Sequence, residues 1–143
     1  MKVDRIVVGV DGSENARRAL EWAAGLACEV DAEVVAVHSV GLLEKFASTE
    51  SDSTETPIAD AKYLFDTEWC AALDNAENRS RRLLRDGSPV SVLLAVAEEI
   101  DADLIVVGSR GLGGYPELLL GSTSTQIAQH STRPVVIIPS TLR

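Results

Sequence analysis

The chain has 143 residues, of which 45% are hydrophobic, and a formal net charge of −9. This length suffices for one domain with an apolar core and no disulfide or metal cross-links. The acidic balance argues against nucleic-acid binding, which needs clustered basic residues, but it allows one small anionic ligand held at short range. No apolar run approaches the roughly 18–20 residues of a membrane span, and the start shows no signal-peptide core, so we expect a cytoplasmic protein.

The first half of the chain alternates strand and helix patterns. Residues 5–10 form a β-branched run typical of a strand buried on both faces. Ser13 is placed to cap a helix whose small and apolar residues recur at three- and four-residue steps as far as Val30. Residues 33–38 predict a second strand, whereas residues 41–57 are polar and aperiodic and predict a loop.

The second half continues the alternation with one ambiguous segment. Residues 79–85 fit either an extension of the preceding helix or a polar edge strand. Ser88-Pro89 is a typical helix start, with proline at the first helical position. The other predicted elements are a helix over 58–76, a strand over 104–107, a helix over 123–130 and a strand over 134–138.

Two further residue types are interpreted as structural. Cys28 and Cys70 belong to no CxxC motif, so we expect reduced thiols packed in helices. His38 ends a strand and His130 ends a helix, and neither has a companion residue at catalytic spacing.

Strands that alternate with helices predict one α/β domain over residues 1–143, Rossmann-like, with a parallel sheet and helices on both faces. Ligands of such sheets bind beyond the carboxyl ends of the strands, where the strand order reverses. The segments that follow the first and fourth predicted strands are therefore the predicted ligand-binding segments.

A glycine-rich loop follows the strand 104–107 and ends at Gly121-Ser122, where a helix opens. Gly108 and Gly111 permit unusual φ angles and let a phosphate approach the backbone. The unpaired N–H groups and the positive dipole end of the helix favour a phosphate, and the Ser122 hydroxyl adds a donor. Arg110 is the nearby cation.

Asp11 follows the first strand in the segment Gly9–Ser13. Its carboxylate could accept a hydrogen bond from a ribose hydroxyl or hold Mg²⁺ against phosphates. The alternative is a residue of the helix-start turn that binds local amides. The chain has neither GxxxxGK[ST] nor GxGxxG after a strand, which argues against a P-loop NTPase and an NAD-type fold.

The spacing Gly108-x2-Gly111-x9-Gly121-Ser122, with an early Val10-Asp11-Gly12-Ser13 and a late PVVIIP, resembles the universal stress protein family over essentially the whole chain. The resemblance implies a five-stranded parallel sheet of order 3-2-1-4-5 that binds ATP between strands 1 and 4. It also implies that residues 79–85 are strand 3, and that the protein forms a homodimer through the strand 134–138.

The same resemblance assigns the site residues. Asp11 corresponds to the acidic residue near ribose and Mg²⁺, and Ser39 or Val40 to the backbone position that contacts adenine. The expected nucleotide-binding residues are Gly9, Asp11, Ser39, Val40, Gly108, Arg110, Gly111, Gly114, Gly121, Ser122 and Thr123. Glu117 departs from the family pattern. An acidic side chain near a triphosphate is repulsive, so Glu117 predicts weakened ATP affinity.

These observations favour a regulatory protein of the stress response that binds adenine nucleotide with little or no turnover, since no general base, nucleophile or activating lysine is evident. One alternative is a nucleotide-free dimeric scaffold with a degenerate loop, toward which Glu117 points. Another is an ATP-pyrophosphatase or adenylating enzyme, but the segment after the first strand lacks the Ser-Gly-Gly-x-Asp-Ser pattern of such enzymes.

Overall fold

The computed structural model describes residues 1–41, 57–74, 76–110 and 120–141. The strands are β1 (Arg5–Gly9), β2 (Glu33–Val40), β3 (Ser80–Asp86), β4 (Leu104–Gly108) and β5 (Val135–Ile138). The helices are α1 (Glu14–Val30), α2 (Pro57–Leu64), a π-helical turn (Phe65–Trp69), α3 (Ala71–Asp74), α4 (Pro89–Glu99) and α5 (Ser122–His130).

The five strands form one parallel sheet of order β3-β2-β1-β4-β5, which confirms the predicted fold class. Val7 of β1 is paired with Val35 of β2 on one side and with Ile105 of β4 on the other. The chain passes from β1 to β2 in one direction and later returns to place β4 on the opposite side. The order therefore reverses between β1 and β4, where sheets of this type bind ligands.

Helices cover both faces of the sheet because successive strand residues point to opposite sides. On one face, Ile6 and Val8 pack with Leu20 of α1 and with Phe65. On the other face, Val7 and its neighbours pack against α4 and α5. The buried residues of this second cluster are Val7, Val35, Val37, Val92, Leu93, Val96, Ala97, Ala102, Ile105, Val107 and Ile127.

The region predicted as one helix over 58–76 is instead divided into α2, the π-helical turn and α3. A π-helical turn inserts extra backbone into the helix and re-aims the residues after it. Phe65 then lies in the core with 1% exposure, whereas Trp69 stays half-buried. Residues 79–85, which the residue pattern left open, lie within or next to the edge strand β3. The predicted loop over 41–57 lies almost wholly outside the described residues.

Both predicted helix caps are confirmed. The Ser13 hydroxyl accepts a hydrogen bond from the Ala16 N–H at 3.1 Å, and Ser88 does the same for the Ser91 N–H at 3.3 Å. Among the helices that the structure describes, none combines the length and apolar character needed to cross a membrane.

The two cysteines differ in their surroundings. Cys70 is fully buried, and burial raises the pKa of its thiol to about 11. Cys28 is exposed, so the expectation that both thiols are packed was wrong for this one. The reason is its place on α1, because the apolar stripe of the helix ends at Ala27 and leaves position 28 outside it.

Candidate functional site

The carboxyl end of the sheet concentrates the polar interior of the protein. Within the described residues, the buried polar side chains are Asn15, His38, Ser109 and Ser124. All four lie at or just beyond the carboxyl ends of the strands, around the point where the strand order reverses. Buried polar groups need hydrogen-bond partners, so specific hydrogen bonds set the positions of these side chains.

Ser109, directly after β4, fixes the position of α5. Its N–H donates to the Ile138 carbonyl at 2.8 Å. Its carbonyl accepts two hydrogen bonds, from the Gly121 N–H at 2.6 Å and from the Ser124 hydroxyl at 3.1 Å. The amino end of α5 is therefore attached to the carboxyl end of β4, although residues 111–119 of the connection lie outside the described chain.

The amino end of α5 has the properties of an anion site. Helix α5 begins at Ser122, and its N-cap Gly121 makes no side-chain cap hydrogen bond. The Ser122 and Thr123 amides belong to the first turn, whose N–H groups have no partner within a helix. The Thr125 hydroxyl returns to the Gly121 carbonyl at 2.8 Å. The prediction that Gly121-Ser122 opens the helix is confirmed, whereas the expected site residues Gly111 and Gly114, together with Glu117, lie outside the described residues.

Asn15, in the first turn of α1, joins this helix to the end of β4. Its side-chain amide donates to the Ser109 hydroxyl at 3.1 Å and to the Arg110 carbonyl at 3.2 Å. Its carbonyl oxygen, Oδ1, is buried without a partner among the described residues. Asn15 could not be predicted from the sequence, since its partners lie more than ninety positions away and no local pattern marks it.

Helices pack closely on the glycines at the ends of β1 and β4. A Cβ on Gly108 would lie 3.0 Å from the backbone carbon and oxygen of Asn15. A Cβ on Gly9 would lie 3.0 Å from Leu93 Cδ1 of α4. Gly108 is not among the described residues of positive φ, so its backbone does not use the unusual φ angles that a glycine permits. Contact of either glycine with a ligand stays a prediction.

Asp11 is tied into the turn that starts α1. Its Oδ1 accepts hydrogen bonds from the Ser13 N–H at 2.9 Å and from the Ser13 hydroxyl at 2.5 Å. This confirms the local interpretation of Asp11 as a residue that binds amides of the helix start. The carboxylate nevertheless lies at the carboxyl end of β1, where the ligand role would place it.

The site also contains an aromatic group that the sequence analysis missed. Trp69 lies over Gly12, which has φ +85°, and a Cβ there would be 2.6 Å from Trp69 Cζ2. The Trp69 ring meets the His38 ring edge-on, with centroids 5.0 Å apart. His38 is buried, and its Nδ1 is 2.8 Å from the Val10 carbonyl, which supports its structural interpretation. In a helical pattern Trp69 resembles a core residue, and periodicity does not reveal the π-helical turn.

Ser39 and Val40 lie at the carboxyl end of β2, beside β1. Val40 is buried, and its carbonyl accepts the Gly87 N–H at 3.3 Å, while Ser39 is half-buried. A carbonyl has two lone pairs, so this hydrogen bond does not exhaust the Val40 oxygen as an acceptor. Across the described parts of the chain, no group of three or more His, Cys, Asp or Glu side chains is placed to hold a metal ion.

Comparison with known proteins identifies sequences related to this chain. A model of the universal stress protein family matches residues 2–139. The universal stress protein YxiE of Bacillus subtilis (strain 168) is 33% identical over 147 residues, covering 94% of this chain and 98% of the relative.

Two solved structures have the same fold. A universal stress protein from Archaeoglobus fulgidus in complex with dAMP is 25% identical, with a TM-score of 0.70, and the match covers 96% of this chain and 99% of that one. The hypothetical protein MJ0577 is 23% identical with a TM-score of 0.85, and the match covers the whole of both chains. Since the family model spans almost the entire sequence and the fold agrees, the chain belongs to the universal stress protein family.

Proposed function

We propose that the protein binds an adenine nucleotide, ATP with Mg²⁺, at the carboxyl ends of β1 and β4. The observation that carries this proposal is the amino end of α5, whose N-cap residue Gly121 has no side chain to cap it and which Ser109 holds at the end of β4. A helix end of this kind favours a phosphate through its free amides and its dipole. The dAMP bound by the Archaeoglobus fulgidus relative supports an adenine nucleotide as the ligand class.

The proposal also assigns roles to other expected site residues that the structure describes. In the proposal, Ser122 and Thr123 donate to the phosphates, and Arg110 lies beside them at the end of β4. Asp11, at the end of β1, faces the ribose. The backbone at Ser39 and Val40, at the end of β2, contacts the base. The order of these groups follows the order of the strands β4, β1 and β2.

Asp11 fits a magnesium role of limited extent. Magnesium bound with a nucleotide usually takes one or two protein carboxylates, together with phosphates and several waters. A single carboxylate at the end of β1 meets that requirement, and when bound the metal would neutralise phosphate charge. Neutralisation matters here because the protein has a net charge of −9.

We further propose a regulatory role with little or no turnover of ATP. We propose the cytoplasm as the location of the protein, because ATP is present there. Titratable side chains at this edge of the sheet are engaged by the protein itself. Asp11 accepts from Ser13, and His38 is in contact with the Val10 carbonyl. Efficient hydrolysis requires a base within hydrogen-bond reach of the attacking water.

A substitution at the α5 terminus tests the proposal with effects of opposite sign. Ser122→Asp places a negative charge at the start of α5, which should stabilise the helix by about 0.3–1 kcal/mol. The same charge should repel the phosphates and weaken ATP binding at least about tenfold. Isothermal titration with AMP, ADP, ATP and a cyclic nucleotide, with and without Mg²⁺, measures affinity, and thermal unfolding measures stability.

Ser80→Asp is the matched control, because it introduces the same charge at an exposed position on the opposite edge of the sheet. It should leave ATP affinity unchanged. Wild-type protein that binds no adenine nucleotide at millimolar concentration would refute the proposal and leave the nucleotide-free scaffold.

We also propose a homodimer that forms through the predicted strand 134–138, observed as β5. β5 is an edge strand, and Val135, Val136 and Ile137 are half-buried. The Pro134 carbonyl accepts from Ile105 of β4 and the Ile138 carbonyl from Ser109, directly after β4. Alternation along the strand therefore turns the backbone groups of Ile137 outward. A free apolar edge of this kind is suited to pair with a second copy.

Ile137→Pro removes the outward N–H of β5 and leaves the hydrogen bonds to β4 in place. Sedimentation equilibrium should show a dimer for the wild type and a monomer for this variant. Ser80→Pro makes the matched change on the opposite edge strand, β3, and should remain dimeric. A wild-type monomer at high micromolar concentration would contradict the dimer.

A further inference from the structure

Trp69 is held at the ligand edge of the sheet by a specific piece of backbone. The π-helical turn Phe65–Trp69 interrupts the helical region between α2 and α3, and Trp69 is its last residue. π-helical turns occur frequently at functional sites because they re-aim a side chain without ending the helical segment. Here the turn keeps Phe65 in the core and places the Trp69 indole over the loop that follows β1.

The contacts of the indole leave part of it available. One edge of the ring lies against Gly12, with Cζ2, Cε2 and Nε1 all within 3.1 Å of a Cβ built there. His38 meets the ring at 74°, edge-on rather than stacked. Trp69 is half-buried, so part of the indole faces solvent. An indole in this state can stack its face on a flat ring.

The strand order gives the approximate separation between Trp69 and the α5 terminus. The proposed phosphate position lies at the end of β4, and Trp69 contacts Gly12 and His38 at the ends of β1 and β2. Neighbouring strands are about 4.8 Å apart, so β4 and β2 are separated by about 10 Å. A nucleotide with its phosphates at α5 therefore extends its base toward Trp69.

We propose that Trp69 contacts the base of the bound nucleotide and makes the site selective for nucleotides over bare polyphosphate. This inference rests on the proposed function and adds to it a specificity-determining residue. Gly12 is part of the arrangement, because any side chain at that position would displace the indole.

The experiment compares two ligands in three proteins. ATP and inorganic tripolyphosphate, each with Mg²⁺, are titrated into the wild type, Trp69→Ala and Trp69→Phe. Loss of base stacking should weaken ATP binding roughly 5- to 150-fold in Trp69→Ala and leave tripolyphosphate binding unchanged. Trp69→Phe retains a flat ring and should recover most of the affinity. Trp22→Phe, the matched change at the other tryptophan, should alter neither ligand.

Fluorescence provides a reading that a purely structural tryptophan would not produce. The chain has two tryptophans, so in the Trp22→Phe protein the emission comes from Trp69. ATP should quench this emission, and tripolyphosphate should not.

Equal or tighter ATP binding by Trp69→Ala would overturn the inference, and the tighter result would show that the indole obstructs the site. A parallel loss of both ligands would also overturn it, because it would indicate general damage. A wild type that binds tripolyphosphate but gains nothing from the base refutes the inference alone. A wild type that binds neither ligand refutes the proposed function itself.

Discussion

The contact between Gly12 and Trp69 allows a prediction of stability that can be separated into two parts. Gly12 has φ +85°, and a Cβ there would lie 2.6 Å from Trp69 Cζ2. In Gly12→Ala, the left-handed backbone costs an L residue about 1–2 kcal/mol. Overlap with the indole adds about 1–3 kcal/mol, as overpacking does elsewhere. We therefore expect Gly12→Ala to lower the free energy of unfolding by about 2–5 kcal/mol.

A double-mutant cycle separates the two parts. In the Trp69→Ala background the ring is gone, so Gly12→Ala should cost only the backbone part, about 1–2 kcal/mol. The difference between the two backgrounds is the interaction free energy between Gly12 and Trp69. Urea unfolding followed by far-ultraviolet circular dichroism measures all four proteins, since this signal does not depend on tryptophan.

Gly25 supplies the matched control for this cycle. It lies inside α1, and no atom comes within 4 Å of a Cβ built there. Gly25→Ala should therefore stabilise the protein by about 0.5–1 kcal/mol. An equal cost of Gly12→Ala with and without the Trp69 indole would refute the reasoning, because it would show that the ring does not cover Gly12.

The remaining predictions concern packing and thiol chemistry. Gly108→Ala should destabilise the protein by about 1–3 kcal/mol in the same urea assay, because the new Cβ meets the backbone of Asn15, which cannot move aside; a neutral result would contradict that packing. A disulfide reagent at neutral pH should modify Cys28 and reach Cys70 only on unfolding; modification of both in the native protein would contradict the burial. Burial raises the pKa of Cys70 from 9.0 to about 11, so the unfolded thiol ionises first and stability should fall as pH rises from 9 toward 11. The Cys70→Ala variant should lack this part of the pH dependence.

Most strands and helices could be predicted from the residue pattern because their signals are local, whereas the strand order was implied by the family resemblance. The apolar run of β1 and the caps at Ser13 and Ser88 depend on neighbours within a few residues. β3 was ambiguous for a physical reason, because an edge strand with charged residues such as Arg81 and Arg82 lacks the buried run that identifies a central strand.

The candidate site was harder to predict from the sequence, because its contacts connect distant parts of the chain. Asn15 donates a hydrogen bond to Ser109, 94 positions later in the chain, and no sequence pattern near either residue predicts this pair. The packing of Gly108 against Asn15 of α1 could not be predicted either, since the two residues are far apart in the sequence. Trp69 was missed because a π-helical turn changes the direction of side chains without changing the apolar spacing in the sequence.

The double role of the Ser109 carbonyl has an evolutionary consequence. Its hydrogen bonds from the Gly121 N–H and from the Ser124 hydroxyl join the start of α5 to the end of β4 through a main-chain atom. A main-chain acceptor does not depend on the side chain of the residue that carries it. Position 109 can therefore change its residue during evolution without losing either hydrogen bond.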